Sequence, residues 1–118
     1  MSDKTLQMTM LFDFFGDLLT EKQREYFDLY HNEDLSLSEI AEKAGITRQG
    51  VHDIITRAEK TLTETEQKTG VVQRWLDTQT QLQKAGAMAR ELLQQPGVSD
   101  ETKKIAQKLV NTLESISD

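Results

Sequence analysis

The chain has 118 residues, of which 36% are hydrophobic, with one Pro and no Cys. That length suits one compact domain with a small appendage. The absence of Cys fits a reducing compartment. No apolar run is long enough to cross a bilayer, and no charged segment with an apolar core and a cleavage site opens the chain. We therefore expect a cytoplasmic protein without membrane insertion.

The net charge of −6 is unevenly distributed along the chain. Residues 1–66 hold seven Lys and Arg against fourteen Asp and Glu, a net of −7, whereas residues 67–118 hold seven against six, a net of +1. Proteins that bind DNA usually draw affinity from basic side chains on phosphates. The acidic first half therefore lowers the odds of DNA binding, although a local basic face would still permit it.

The first predicted helix begins at Asp3 or Thr5 and ends at about Leu18. Its apolar side chains recur at helical spacing and are expected to form one broad buried face. That face comprises Leu6, Met10, Leu11, Phe14, Phe15, Leu18 and Leu19. Three aromatic residues crowd this segment, and we expect most of them to lie in the core. The alternative is that one of them is an exposed anchor for a partner.

A second helix is predicted to follow Thr20 and to end at about His31. Thr20 is a good N-cap, and Gln23 three residues later completes a capping box. The residues expected to face inward are Phe27, Tyr30 and either Tyr26 or Leu29. We interpret His31 as a solvated residue at the helix end, where a protonated imidazole suits the helix dipole.

Residues 36–60 have the pattern of a helix-turn-helix. Ser36 and Glu39 form a second capping box, after which apolar residues recur at helical spacing. Gly45 occupies the turn, where a residue that tolerates positive φ is required. The stripes expected to be buried are Leu37, Ile40, Ala41 and Ala44 in the first helix and Val51, Ile54, Ile55 and Ala58 in the second.

The second helix of the motif is expected to follow Thr47, whose hydroxyl caps it, while Ile46 points back into the core. The helix should continue to about Lys68, before Gly70 breaks it. The nine residues before Gly70 contain one apolar residue, Leu62. We therefore expect this part of the helix to be exposed or frayed.

An apolar pattern resumes at Val71 and stops at Pro96 and Gly97. Ser99 then caps a last helix whose first turn is acidic. Two helices joined by a short Pro-Gly loop are expected to fold back as an antiparallel hairpin. The expected seam is Trp75, Leu82, Ala85, Ala89 and Leu92 in the first helix and Ile105, Leu109, Leu113 and Ile116 in the second, widened by Ala106 and Val110.

The hairpin must bury this seam on the helix-turn-helix core or on a second copy of the chain. In a homodimer, the expected contacts are Trp75, Leu82, Leu92, Leu109 and Leu113. No strand pattern is present, so the expected fold class is all-α, with about five helices. The expected domains are a helix-turn-helix domain at residues 1–68 and a C-terminal antiparallel helical hairpin at residues 69–118.

The sequence contains no recognisable catalytic constellation. No Cys supplies a thiolate nucleophile, and no Gly-rich loop with Lys and Ser or Thr forms a phosphate cradle. The two His residues, His31 and His52, lack a cluster at metal-ligand spacing. The carboxylates are scattered over helix surfaces, which is typical of a solvated face. We therefore expect no enzyme, no cofactor and no metal.

The exposed side of the second motif helix is the surface that a DNA reader would use. It comprises Thr47, Arg48, Gln49, His52, Asp53, Thr56 and Arg57. Arg48 suits guanine and Gln49 suits adenine in a major groove. Gly50 and Asp53 argue against this function, since Gly weakens a helix by about 1 kcal/mol relative to Ala and Asp places a negative charge near the groove. The motif alone leaves DNA binding and protein binding both open.

Residues 4–66 resemble the YlxM family of helix-turn-helix proteins of Gram-positive bacteria. The resemblance is carried by LFDFFGDLLTEKQREYFDLYHNEDLSLSEIAE and by ITRQGVHDIITRAE. The family more often has Ala where Gly50 stands and Tyr where His52 stands, and the chain from Val71 onward matches much less well. The fold also resembles the last helical domain of bacterial sigma factors, region 4, which reads promoter DNA.

The family resemblance implies a place in the signal recognition particle pathway, because members are typically encoded beside the gene for the particle's GTPase. That GTPase carries a basic RNA-binding domain, which an acidic helical module suits as a partner. We therefore expect a non-enzymatic accessory or regulatory protein that acts with the signal recognition particle GTPase. The alternative is a transcription regulator that binds DNA through the motif. In a third interpretation the motif serves protein contacts only, and the dimer is the functional unit.

Overall fold

The computed structural model describes residues 3–117, which form six α-helices and one short 3₁₀ turn. The helices are α1 (Asp3–Phe15), α2 (Glu21–His31), α3 (Leu37–Ala44), α4 (Arg48–Thr69), α5 (Val71–Leu93) and α6 (Asp100–Ser117), and the 3₁₀ turn is Gly16–Leu18. These residues contain no strand, which confirms the all-α class, with one helix more than expected. Two compact units are present, the helix-turn-helix unit (Met1–Val72) and the hairpin unit (Gln73–Asp118).

The inward side of α1 is narrower than the face predicted from the sequence. The buried apolar side chains of this segment are Met8, Leu11, Phe15 and Leu19, and the exposed ones include Leu6, Phe14 and Leu18. The prediction is wrong for the three exposed residues. The helix buries a single line of side chains that are three or four residues apart, and the apolar residues on either side of that line face solvent. After Phe15 the backbone tightens into the 3₁₀ turn, which changes the side-chain directions again.

Helix α2 begins at the predicted capping box. The Thr20 hydroxyl accepts the Gln23 N–H at 3.2 Å, and the Gln23 carboxamide oxygen accepts the Thr20 N–H at 3.0 Å. Phe27 is fully buried, and its ring stacks on Phe12 of α1 with ring centroids 4.7 Å apart. Tyr26 is buried on the side of α2 that meets α3 and α4. This aromatic packing joins the first two helices to the helix-turn-helix.

Two predictions at the end of α2 are wrong. Tyr30, expected to face inward, lies at the surface, and the side chain of His31, expected to be solvated, is only 7% exposed. Phe27 is the fully buried residue of this helix, and His31 is four residues beyond it, about 40° away around the axis. Tyr30 is about 60° away on the other side. Helix geometry therefore carries the imidazole, rather than the phenol, toward the interior.

The predicted helix-turn-helix is present in α3 and α4. The Ser36 hydroxyl accepts the Glu39 N–H and the Glu39 carboxylate accepts the Ser36 N–H, both at 3.0 Å. Gly45 has a φ of 71°, and its N–H donates to the carbonyl of Ala41 at 2.9 Å, which closes α3. The buried cluster beneath the motif is Tyr26, Ile40, Ala41, Val51 and Ile55. Side chains of α2, α3 and α4 therefore share one core.

Two apolar residues at the turn are exposed, contrary to the prediction. Ala44 ends α3 on its solvent side, and Ile46 does not return to the core. The left-handed backbone at Gly45 turns the chain so sharply that Ile46 lies beside the start of α4, near Gly50. The turn therefore places an exposed apolar side chain between the end of α3 and the start of α4.

Helix α4 runs unbroken to Thr69 and ends where Gly70 adopts a φ of 63°. Leu62 is fully buried and anchors its second half. The Glu66 carboxylate accepts the N–H of Val72 at 2.9 Å, which ties the start of α5 to the end of α4. Of the two alternatives expected here, an exposed or a frayed segment, the frayed one is wrong, because one buried Leu and this capping contact hold the last two turns.

The hairpin unit buries the small residues of the predicted seam and leaves most of its large residues exposed. Its buried positions are Gly86 and Ala89 of α5 and Ala106 and Val110 of α6. Of the expected seam, Leu82, Ala85 and Leu113 are half-buried, whereas Trp75, Leu92, Ile105, Leu109 and Ile116 are exposed. The prediction is confirmed for Ala89, Ala106 and Val110 and wrong for the exposed residues, because each helix buries its line of small side chains and the larger residues beside that line face outward.

The predicted end of α5 and the predicted start of α6 are confirmed. Helix α5 ends at Leu93, and Gly97 in the loop has a φ of 81°. The Ser99 hydroxyl accepts the Thr102 N–H at 3.2 Å and so caps α6. Arg90 donates to the Glu114 carboxylate at 2.9 Å, a contact 24 residues apart in sequence that joins α5 and α6.

Candidate functional site

The first turn of α4 is held in a defined conformation by its cap. The Thr47 hydroxyl accepts the N–H of Gly50 at 3.0 Å, as the sequence predicts. A Cβ at position 50 would come within 3.1 Å of that hydroxyl oxygen, so Gly leaves room for the cap. Helices α1, α2 and α3 pack against other sides of α4. One face of α4 remains open to solvent.

All seven residues predicted for DNA contact are exposed on or just before α4. They are Thr47, Arg48, Gln49, His52, Asp53, Thr56 and Arg57. The spacing of these residues places them along one side of the helix, opposite the buried Val51, Ile55 and Ala58. Such a strip has the position of a recognition helix in a major groove. Contact with DNA through it stays a prediction.

Within this strip Asp53 is already engaged by its neighbours. The Gln49 side-chain amide donates to the Asp53 carboxylate at 2.9 Å, and the His52 Nδ1 lies 3.6 Å from the same oxygen. The amide hydrogens of Gln49 are therefore partly committed within the helix. Reading an adenine would require Gln49 to exchange this bond for one to the base.

The motif and its surroundings match one known family. The family model UPF0122, which describes YlxM- and p13-like helix-turn-helix proteins, matches residues 2–108. The chain belongs to the UPF0122 family. This finding confirms the resemblance drawn from the sequence and extends it into the hairpin unit.

Relatives in the UPF0122 family match over different lengths. A UPF0122 protein of Thermoanaerobacter sp. (strain X514) is 39% identical over 117 residues, which cover 99% of each chain. A UPF0122 protein of Halalkalibacterium halodurans is 56% identical over 68 residues, or 58% of this chain and 62% of the relative. A UPF0122 protein of Caldanaerobacter subterraneus is 46% identical over 84 residues, or 71% of this chain and 72% of the relative. Whole-length similarity therefore includes the hairpin.

A cavity of about 500 Å³ opens beside α4 in this UPF0122 protein. Its polar lining comes from the start of α1, the end of α2, the loop before α3 and α4. The polar lining residues are Lys4, Thr5, Tyr30, His31, Asp34, His52, Thr56 and Glu59. Two of the predicted DNA-contact residues, His52 and Thr56, thus also form its wall. The cavity is large enough for a small ligand, but the lining mixes both signs of charge and favours no ligand class.

At the base of this cavity a buried imidazole meets a carboxylate. The His31 Nε2 lies 2.7 Å from a Glu59 carboxylate oxygen. The hydrogen bond from His31 lowers the pKa of Glu59, partial burial acts in the opposite direction, and the charges of His31, Lys4 and His52 lower it further. Glu59 is therefore ionised at neutral pH, so the imidazole N–H is the donor. This bond fastens α2 to α4.

A second candidate surface, the acidic groove, lies between α1 and α2. Two adjoining hollows of about 230 and 460 Å³ share Phe12 and Arg24. The carboxylates that line them are Asp13, Asp17, Glu21, Glu25 and Asp28. Arg24 lies 3.8 Å from Asp17 in an exposed pair, which contributes little. The groove therefore has a half-buried aromatic floor and a strongly negative rim.

The described residues contain neither a metal-binding cluster nor a membrane-spanning helix. Between residues 3 and 117, no three or more His, Cys, Asp or Glu side chains are grouped so as to hold a metal ion. Over the same range, none of the helices combines the length and the apolar character that crossing a bilayer requires.

Sequence reasoning missed both the His31–Glu59 bond and the acidic groove. The two bonded residues are 28 positions apart, so no local pattern connects them. The groove carboxylates are visible as a general acidity of the first half, but their grouping depends on how α1 crosses α2. The four-residue step from Phe27 to His31 is the signal that could have placed the imidazole inside.

Proposed function

We propose that this UPF0122 protein is a non-enzymatic accessory or regulatory protein of the signal recognition particle pathway that docks on the particle's GTPase. The observation that carries this proposal is the acidic groove between α1 and α2. The resemblance to the YlxM family supplies the partner, a GTPase with a basic RNA-binding domain. Complementary charge steers such an encounter and fixes its orientation. This role lies in the cytoplasm.

The groove has the composition that a basic helical partner requires. Five carboxylates face one lining base, Arg24, so Lys and Arg side chains would gain several partners at once. Phe12 at the floor offers an apolar contact that water does not satisfy, and it is held in place by its stack on Phe27. An apolar centre with a polar rim is the usual anatomy of a protein interface.

The first test is a titration of the full chain against the signal recognition particle GTPase, with and without its RNA, at moderate salt. We expect saturable binding that weakens as salt rises. RNA should compete, because it occupies the basic face that the groove would use. Absence of saturable binding in both conditions would contradict direct docking.

Charge reversal in the groove locates the contact. The double variant Glu21→Lys with Glu25→Lys should weaken binding at least about tenfold, since both substitutions place like charge opposite a basic surface. The matched control is Glu42→Lys with Glu91→Lys, which makes the same change in net charge at exposed positions outside the groove. Equal weakening by both pairs would mean that net charge, and not the groove, drives association.

DNA recognition through α4 is the second candidate function. It is favoured by the uninterrupted exposed strip from Thr47 to Arg57 and by the bond from Gln49 that partly satisfies the Asp53 carboxylate. In this case affinity for DNA would come from the basic residues of the strip, and the negative charge of the rest of the unit would weaken binding by repelling the phosphates.

The Arg48→Ala variant tests the DNA function. If Arg48 contacts a phosphate, its loss should reduce the slope of log affinity against log salt by about 1. Fluorescence anisotropy with a duplex of mixed sequence measures this slope. The control is Lys84→Ala, an exposed basic residue of the hairpin unit. DNA binding that both variants leave unchanged would exclude this reading surface, and Arg48→Ala should not alter the GTPase titration.

A further inference from the structure

The hairpin unit exposes large apolar side chains on both of its helices. We name as the apolar face the residues Met88 and Leu92 of α5 and Ile105, Leu109 and Ile116 of α6. Met88 is 67% exposed and Ile105 is 68% exposed. Together the five expose on the order of 500 Å² of apolar surface, which is at the upper end of what a soluble monomer tolerates.

Helix geometry places these five side chains on one flank of the hairpin. On a helical wheel with 100° per residue, Met88 and Leu92 lie about 100° from the buried line of α5 through Gly86 and Ala89, on the side of smaller angles. Ile105, Leu109 and Ile116 lie about 90° around α6 from its own buried line, in the same rotational sense. Because the two helices are antiparallel, equal rotations bring both sets to the same side. The apolar face is therefore one continuous surface across two helices.

The residues buried between the two hairpin helices bring too little apolar area to account for the stability of the unit. The residues buried between the helices include Gly86, Ala89 and Ala106, which bring little apolar area. Helices of this length draw most of their stability in water from packing an amphipathic face. In the hairpin unit Leu82 and Leu113 are half-buried, whereas the five residues of the apolar face, which would supply further packing, lie on the uncovered flank.

Charge indicates what covers the face. The hairpin unit holds six Lys and Arg and six Asp and Glu, a net of zero, while residues 1–72 hold eight against fourteen and carry the whole net charge of −6. Two copies would therefore repel one another through their helix-turn-helix units but not through their hairpins. A neutral apolar surface also gives no advantage to a strongly basic or acidic partner.

We propose that two copies of this chain pack their apolar faces together about a twofold axis and form a four-helix bundle. A twofold axis pairs the same patch with itself, so the surface needs no second complementary site. Two such patches contribute about 1,000 Å² of apolar surface, and the polar residues at their margins add the remaining few hundred Å² that bring the total to the range of about 1,200–2,000 Å² of stable interfaces. This inference does not rest on the proposed function; it adds that the assembly carries two helix-turn-helix units.

The oligomeric state of the full chain tests this inference. Light scattering after gel filtration, together with sedimentation at several micromolar concentrations, should show a dimer. Ile105→Lys places two charges in the interface, one from each copy, and should raise the dimer dissociation constant about 100-fold or more. Met88→Lys on the other helix should have the same effect.

Gln83→Lys is the matched control, because it adds the same charge to an exposed position on the opposite flank of α5. It should leave the dimer unchanged. Circular dichroism checks that all three variants keep their helices, which we expect because the replaced side chains are already exposed. A monomer at every concentration, or a dimer that neither Ile105→Lys nor Met88→Lys weakens, would overturn the inference.

Discussion

At the scale of single residues, His31 joins more of the helix-turn-helix unit than its position suggests. Its imidazole lies 4.3 Å from the Phe27 ring and 5.1 Å from the Tyr30 ring, measured between centroids. Its Nε2 donates to the Glu59 carboxylate across the boundary between α2 and α4. One side chain thus connects an aromatic cluster to the helix that carries the predicted recognition strip.

This bond makes stability depend on pH in a defined direction. Because the folded-state pKa of Glu59 lies below its ordinary value of 4.5, its contribution is present above pH 4.5 and is lost as the pH falls through the folded pKa. Glu59→Gln should lower the free energy of unfolding at pH 7 by about 1–2 kcal/mol, since it removes a charge-assisted hydrogen bond. Urea unfolding at several pH values measures the difference, which should shrink below pH 4.5.

Glu64→Gln is the control for this prediction, because Glu64 is exposed and its distance to Lys60 is 3.9 Å. It should change stability by a few tenths of a kcal/mol at most. Glu39, whose pKa is lowered by the Ser36 N–H, adds its own acid dependence to every variant. A Glu59→Gln variant as stable as the parent at pH 7 would show that the bond contributes nothing.

At the scale of elements, the caps and most of the buried stripes of α3 and α4 were open to prediction, whereas the buried faces of α1 and of the hairpin helices were predicted only in part. A cap depends on residues three positions apart, so Thr20, Ser36 and Thr47 could each be assigned from the sequence. The buried side of α6 depends on which neighbour it meets. Its pattern offers the line of Ile105 and Leu109 and the line of Ala106 and Val110, and periodicity prefers the larger side chains. In the structure the line of the smaller side chains is the buried one.

The Ser36 cap carries a measurable part of the stability of the motif. Ser36→Ala removes the oxygen that accepts the Glu39 N–H and should lower the free energy of unfolding by about 1 kcal/mol. Ser38→Ala is the control, since Ser38 is an exposed residue in the first turn of the same helix. Thermal unfolding of both variants compares them directly. Equal stability of the two would mean that the capping box contributes no more than any Ser in that turn.

At the scale of the whole molecule, charge and apolar surface are separated between the two units. The helix-turn-helix unit holds the net negative charge and the acidic groove, and the hairpin unit holds the exposed apolar face. Counting charges along the sequence predicts the first half of this division. The exposed apolar face could not be predicted from the sequence. The same apolar residues are compatible with a buried seam and with an exposed flank until the packing of α5 on α6 is known.

The positions of the aromatic residues make the two units optically distinct. Trp75 is the single Trp of the chain and lies in the hairpin unit, whereas both Tyr residues, Tyr26 and Tyr30, lie in the helix-turn-helix unit. Tryptophan emission therefore reports on the surroundings of Trp75, and the tyrosine bands of the second-derivative absorption spectrum report on the helix-turn-helix unit. The unmodified chain thus carries its own pair of spectroscopic labels, one for each half.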